Sequence, residues 1–380
     1  MGSAKQSIDD LALFGGAPLF QTVRPISNLV TPDLDIFLEF YHRSYGGEDL
    51  ICLLQEELCK NHGAKYCVTF CNGLWGMVYC LTSLVQGHEV IMPSLTYRRL
   101  GDIAAWLDLV PHYCEVDPCT LTPTRETIES CINDQTGLIL VTQSLTQVID
   151  YDSIEQLAAE KGIPLVIDSV EAGYGTYRGR KIGSFGKAEC FSTHASKLLN
   201  GFEGGYITTN DRILALTLEH HSRQDKMGLS PVHAAMVLAS LVDLPDQIKR
   251  NKDRWDRYNS LLQRVKGLRL LTYNTVETRS YKNIVVEIEN TWPFTRDQTL
   301  EILHTENMLA RAYYSPPLHM KETSYPIVYG DLSITERLSQ SYLLLPCGDF
   351  VSLSDIERIC EFLDFLCLHE KEIKCHLGLR

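Results

Sequence analysis

From about residue 64 the chain alternates short apolar runs with longer amphipathic segments. AKYCVTF, EVIMP, PHYCEVD, GLILVTQ and IPLVIDS have the length and side-chain character of buried strands. The stretches Gly76 to Leu84, Arg98 to Leu107, Arg125 to Ile132 and Ser153 to Glu160 between them suit helices. Strands alternating with helices predict crossover units and a mostly parallel sheet, which presents ligand sites at the carboxyl ends of its strands.

Two more strands, AECFS and the run from Gly205 to Thr209, precede a helix from Arg212 to His221. Ser230-Pro231 then opens a long helical run to Tyr258. Serine caps free amides there, and proline fits a first helical turn. Beyond it LRLLTY, YKNIVVEIEN, LARAYY and QSYLLLP read as strands and Ser354 to Leu366 as a final helix. The pattern predicts an N-terminal arm over residues 1–30, packing on a neighbouring subunit through its GGAPLF turn. A large α/β domain over 31–240 and a smaller α+β C-terminal domain over 241–380 follow.

Composition narrows the function classes. Apolar residues make up 44% of the 380 positions and charged residues 22%, the balance of a soluble globular chain. A net charge of -13 without a basic block argues against a nucleic-acid footprint. No apolar run has the roughly 18 residues a membrane helix requires, and the first residues lack a signal-peptide core. Thirteen scattered cysteines suit reduced thiols, so the expected location is cytoplasmic, with no membrane contact. Cys67 and Cys71 have no second pair at zinc spacing, and no metal is expected.

Two residues carry the chemistry. Asp168 closes the apolar run PLVID, which places its carboxylate at the carboxyl edge of the sheet. Lys197 follows 29 residues later in ECFSTHASKLLNGFEGG, after another strand. Alone, the first reads as a cap and the second as a surface lysine. Together they are the two groups that pyridoxal 5'-phosphate (PLP) requires: an amine to form a Schiff base with its aldehyde, and an acid to keep its pyridine nitrogen protonated. VTFCNGLWG places Asn72-Gly73 between a strand and a helix, where the amides of residues 73 to 75 could meet a phosphate with the helix dipole in support. Ser192 could add a hydroxyl, and Tyr97 could stack on a flat ring. A nicotinamide site is a poorer fit, since no G-x-G-x-x-G follows the first strand.

The run VIDSVEAGYGTYRGRKIGSFGKAECFSTHASKLLNGFEGGYITTND resembles, in order and spacing, the corresponding segment of the DegT family of PLP-dependent sugar aminotransferases. EVIMPSLTY, YCEVDPCTLTP, YYSPPLH and YLLLPCGDFVS extend the likeness over nearly the whole chain. The resemblance implies fold type I architecture and a homodimer with shared active sites. It makes Lys197 the Schiff-base lysine, Asp168 the partner of the pyridine nitrogen, Gly73, Leu74 and Ser192 the phosphate ligands, and Tyr97 the ring cover. Lysine at 197 sets the chain apart from the family's sugar dehydratases, which carry histidine there. The implied reaction moves an amino group from a glutamate-like donor to a keto-sugar, keto-cyclitol or related carbonyl acceptor.

Departures lie mostly on the substrate side. Glu171 stands where the family has glutamine near the cofactor's phenolic oxygen. A carboxylate there is expected to be protonated or turned towards the substrate. Leu74 replaces a threonine, and Gln143 to Thr146 replace an H-x-Y-G stretch. QDKMGLSPVHAA replaces a G-x-N-x-R stretch that reaches into the neighbouring subunit. Lys226 falls near its asparagine and could still meet a phosphate, while Gly228 removes its arginine. These changes leave elimination or carbon–carbon bond formation as an alternative PLP reaction, and a non-catalytic binding protein as a third reading. Arg311 is a candidate for an anionic substrate group, whereas His194 and His319 read as structural.

Overall fold

β-Branched and aromatic residues recur along the first five strands, as strand pairing favours. These are β1 (Tyr66–Phe70), β2 (Glu89–Pro93), β3 (Val110–Cys114), β4 (Thr136–Thr142) and β5 (Leu165–Asp168). A small hairpin, β6 (Thr176–Tyr177) and β7 (Arg180–Lys181), precedes β8 (Ala188–Ser192) and β9 (Gly205–Thr209). The computed structural model describes residues 5–26, 31–273 and 277–378. Its C-terminal part adds β10 (Leu268–Leu270), β11 (Ile284–Ile288), β12 (Arg311–Ala312), β13 (Val328–Tyr329) and β14 (Tyr342–Leu345).

The large sheet has the order β1-β9-β8-β5-β4-β2-β3-β13. From β8 to β13 every pairing is parallel, and β9 runs antiparallel between β1 and β8. Helices cover both faces, so β4 is buried without interruption from Gly137 to Thr142; a strand buried on two faces loses the polar alternation of an exposed one. The second sheet, β10-β11-β14-β12, is antiparallel and has its own apolar core, including Trp255, Tyr258, Ile284 and Leu363. This is the fold type I arrangement, a large, mostly parallel sheet between helices and a smaller α+β unit.

Two early helices, Leu34–Tyr45 and Leu50–His62, escape the strand-and-helix pattern read from residue 64. Asp33 and Asp49 start them by accepting bonds from amides two and three residues ahead, the usual N-cap geometry. Both pack against the long helix Pro231–Leu262, which runs straight through residue 240. Strand β13 returns from the C-terminal part to the edge of the large sheet, with Val328 opposite His112 and Tyr329 opposite Tyr113. None of the helices is long and apolar enough to cross a membrane among the described residues.

The N-terminal segment packs on the C-terminal unit of its own chain. Leu11, Leu19 and Phe20 are buried in the C-terminal core, which removes their apolar surface from water. The fully buried Glu306 accepts the amides of Ala12 at 2.8 Å and Leu19 at 2.6 Å, and pairs with Lys5 at 2.8 Å. Residues 1–4 and 27–30 of the expected arm lie outside the described residues. Glu306→Ala removes the counter-charge of Lys5, which keeps the Asp10 and Ala17 carbonyls, and leaves two amides without their acceptor; it is expected to lower stability by roughly 3 kcal/mol. Urea unfolding of the variant beside the parent protein measures the loss.

Candidate active site

The carboxyl ends of β1, β2, β4, β5 and β8 open on one cavity of about 440 Å³. The turn at Asn72-Gly73, Tyr97, Thr142, Asp168, Glu171, Ser192 and Lys197 all line it. Asp168 and Lys197 meet because β5 lies beside β8, with Asp168 opposite Cys190 in the register. The smaller unit contributes Arg311 and Tyr314 to the same wall.

The strand-to-helix turn makes an anion cradle. Asn72 is extended and caps the helix Gly73–Leu84 by accepting the Trp75 amide at 2.9 Å. That amide, expected to be free, is therefore taken. Gly73 and Leu74 are the first-turn donors, which have no acceptor within their own helix. Close packing forces glycine here: a Cβ on Gly205 would lie 2.3 Å from the Gly73 Cα, and one on Gly73 would lie 3.2 Å from the Ser192 Cβ. The same approach brings Ser192 against the turn. Tyr97 stands at the mouth, 45% exposed. Lys226 is exposed, in the left-handed region at φ 56°, and does not line the cavity of its own chain.

Glu171 departs from the expectation of a protonated acid, and it lines the cavity. Its Oε1 is 2.7 Å from Lys197 Nζ, its Oε2 is 2.8 Å from Lys282 Nζ, and Asn283 Nδ2 donates to Oε2 at 3.1 Å. Burial pushes its pKa up, but the two ammonium groups outweigh burial and hold the carboxyl well below its usual range. Burial likewise lowers Lys197, yet Glu171 overcomes it and the net shift is upward. Among the described residues no lysine is in hydrogen-bonding contact with Asp168; its carboxylate accepts the Val170 amide at 3.2 Å. Burial raises it to about 6, against that amide and Lys197.

Lys282 and Asn283 have no counterpart in the sequence reading. Their one visible signal is a polar pair opening the apolar run of YKNIVVEIEN. His194 borders the cavity, with Nδ1 2.9 Å from Ser196 Oγ. His319 is buried away from it, with Nδ1 2.7 Å from Ser94 Oγ. Gln143 touches the cavity but spends its amide on Tyr151 at 2.8 Å and on the Ile149 amide at 2.9 Å.

The profile of the DegT/DnrJ/EryC1/StrS aminotransferase family matches residues 49–364. The chain belongs to this family. Over 326 residues it is 25% identical to the UDP-2-acetamido-2-deoxy-3-oxo-D-glucuronate aminotransferase of Pseudomonas aeruginosa, covering 82% of this chain and 89% of that one. It is 36% identical over 188 residues to the L-glutamine:2-deoxy-scyllo-inosose aminotransferase of Streptomyces fradiae, a match that spans 48% of this chain and only 44% of that relative. The crystal structure of DesI in the presence of its TDP-sugar product superposes with a TM-score of 0.91 at 26% identity, over 98% of this chain and 100% of that one.

PLP is the cofactor of the family, and the residues present fit it. A turn with glycine at its closest approach and open amides suits a phosphate, an acid without a lysine in hydrogen-bonding contact suits a protonated ring nitrogen, and a lysine lines the same cavity.

A second carboxyl supports this wall from behind. Glu189 is fully buried; its Oε1 accepts the Gly183 amide at 2.7 Å and the Phe185 amide at 2.8 Å, and its Oε2 meets the hydroxyl of Ser169, next to Asp168. Burial pushes it up to about 7, against those three bonds. The native state therefore keeps a proton that the unfolded chain releases between about pH 4.5 and 7. Its contribution is full below that window and is lost as pH rises through it. Glu189→Gln mimics the protonated form, with an oxygen for the amides and an NH₂ for Ser169. The variant is expected to match the parent at pH 5 and to exceed it by roughly 1–3 kcal/mol at pH 8, as read from urea unfolding at both pH values.

Proposed function

We propose that the protein is a PLP-dependent aminotransferase that moves an amino group from a glutamate-like donor to the carbonyl carbon of a keto-sugar, keto-cyclitol or related acceptor in a biosynthetic pathway. The observation that carries this reading is the placement of Lys197 and Asp168 on neighbouring strand ends of one cavity, beside the open amides of Gly73 and Leu74. The names of the relatives, covering a free cyclitol and nucleotide-linked sugars, support the acceptor class.

When bound, PLP supplies an aldehyde that takes up the amine and a ring that draws electrons from the bonds around that nitrogen. The protein's residues do the rest. Gly73, Leu74 and the Ser192 hydroxyl hold the phosphate, and Tyr97 covers the ring. Asp168 holds a proton on the ring nitrogen by presenting a buried acceptor with no competing lysine. The Lys197 amine anchors the aldehyde at rest. The freed Lys197 amine would take a proton from the donor carbon and deliver it to the carbon on the other side of the nitrogen, as general base and then acid. Arg311, exposed on the wall contributed by the smaller unit, suits a donor carboxylate. The exposed Lys226 fits a homodimer in which it reaches the partner subunit's phosphate. Thirteen free cysteines fit a cytoplasmic, reducing setting.

Protein loaded with PLP and titrated with glutamate or glutamine is expected to lose its visible absorbance, to form pyridoxamine phosphate and to release an equal amount of keto acid. Lys197→Ala should slow this half-reaction by roughly a thousandfold or more. Donor turnover without pyridoxamine phosphate would favour elimination or carbon–carbon bond formation. Bound cofactor with no response to any amino acid would favour a non-catalytic binding protein.

A further inference from the structure

One buried cation next to the cavity lining, bound to Glu171, has no part in the transfer itself. Lys282 lies two residues before the start of β11, in the C-terminal unit, and its side chain is 6% exposed. A lysine in such a place is costly unless its ammonium is paired. Its partner is Glu171 Oε2 at 2.8 Å, and Asn283 Nδ2 secures the same oxygen at 3.1 Å. The other oxygen, Oε1, faces Lys197 Nζ at 2.7 Å. The two oxygens are thus divided between two lysines. Turning Glu171 away from Lys197 would break both bonds on Oε2.

We infer that Lys282 is a positioning residue: it holds the Glu171 carboxylate against the Lys197 nitrogen and offsets its charge there, so that the field at that nitrogen is set from the C-terminal unit. The inference rests on the reading of Lys197 as the PLP anchor. When that nitrogen is bound to the cofactor aldehyde as an imine, Glu171 favours its protonated form and Lys282 tempers the effect. The other charged or titratable groups facing the cluster are Asp168 and Tyr97 beside Lys197, Tyr313, Tyr314 and Tyr273 beside Glu171, and Cys347 beside Lys282. None of them makes a recorded hydrogen bond to either Glu171 oxygen among the described residues.

The test is the pH midpoint of the visible absorbance change in PLP-loaded protein, which reports the proton on the imine nitrogen. With Asn283 still holding Oε2 in place, Lys282→Met removes the offsetting charge and should raise the midpoint by about one unit, whereas Glu171→Gln should lower it by a similar amount. Lys282→Arg keeps the cation and should restore most of the parent value. Lys282→Gln keeps a donor to Glu171 without the charge and should also raise the midpoint, which preserves the test if the methionine variant does not fold. A midpoint unmoved in the methionine or glutamine variant, with only the melting temperature changed, would overturn the inference and leave Lys282 a structural residue. If the parent protein takes up no PLP, the aminotransferase reading fails and this inference with it. If the band forms but its midpoint ignores Lys282, only this inference fails.

Discussion

A carboxylate shared by one buried and one half-buried lysine links the two units of the fold at the site. Glu171 comes from the loop after β5, Lys197 from the loop after β8, and Lys282 from the approach to β11. Each charge would be expensive to bury alone, and removing one partner of a buried pair typically costs about 3–5 kcal/mol. The cluster is therefore stable only while all three elements hold their places, and it is one of the contacts between the smaller unit and the larger one. Asn283 extends the junction, since its amide also reaches the Leu145 carbonyl at 3.2 Å.

The rest of the cavity follows from strand order. Parallel neighbours β4, β5 and β8 deliver Thr142, Asp168 and Ser192 to one edge. The single reversed strand of the large sheet, β9, begins at that edge with Gly205 against Gly73. Its reversal lets the chain return after Lys197 without a crossover helix, so the lysine sits in the loop 193–204 between two hydrogen-bonded strands. Behind this wall Glu189 binds the loop at Gly183 and Phe185 to Ser169, which steadies the residue next to Asp168.

Much of this was legible in the sequence, for physical reasons. Strands buried on both faces leave near-continuous apolar runs, and an acid or lysine at the end of such a run stands out. Asp168, Ser192 and Lys197 were visible for that reason. Glu171 was visible as a residue but not as a charge, because its partners Lys282 and Asn283 lie more than a hundred positions away. Lys226 could be placed only by the fold, which puts it outside its own chain's cavity. The helices Leu34–Tyr45 and Leu50–His62 were missed although Asp33 and Asp49 mark their starts. Aspartate before an apolar residue is common in loops, and what settles these helices is packing on the helix Pro231–Leu262. The smaller unit has no clean start in sequence for a related reason: β13 leaves it to join the large sheet.

The central claim is that of the two lysines on Glu171, Lys197 carries the cofactor and Lys282 does not. Borohydride reduction of PLP-loaded protein fixes the imine as a stable secondary amine, and peptide mass mapping then locates it. The account predicts a single modified peptide, with the pyridoxyl group on Lys197 and Lys282 unmodified. Modification of Lys282 in place of Lys197 would contradict it.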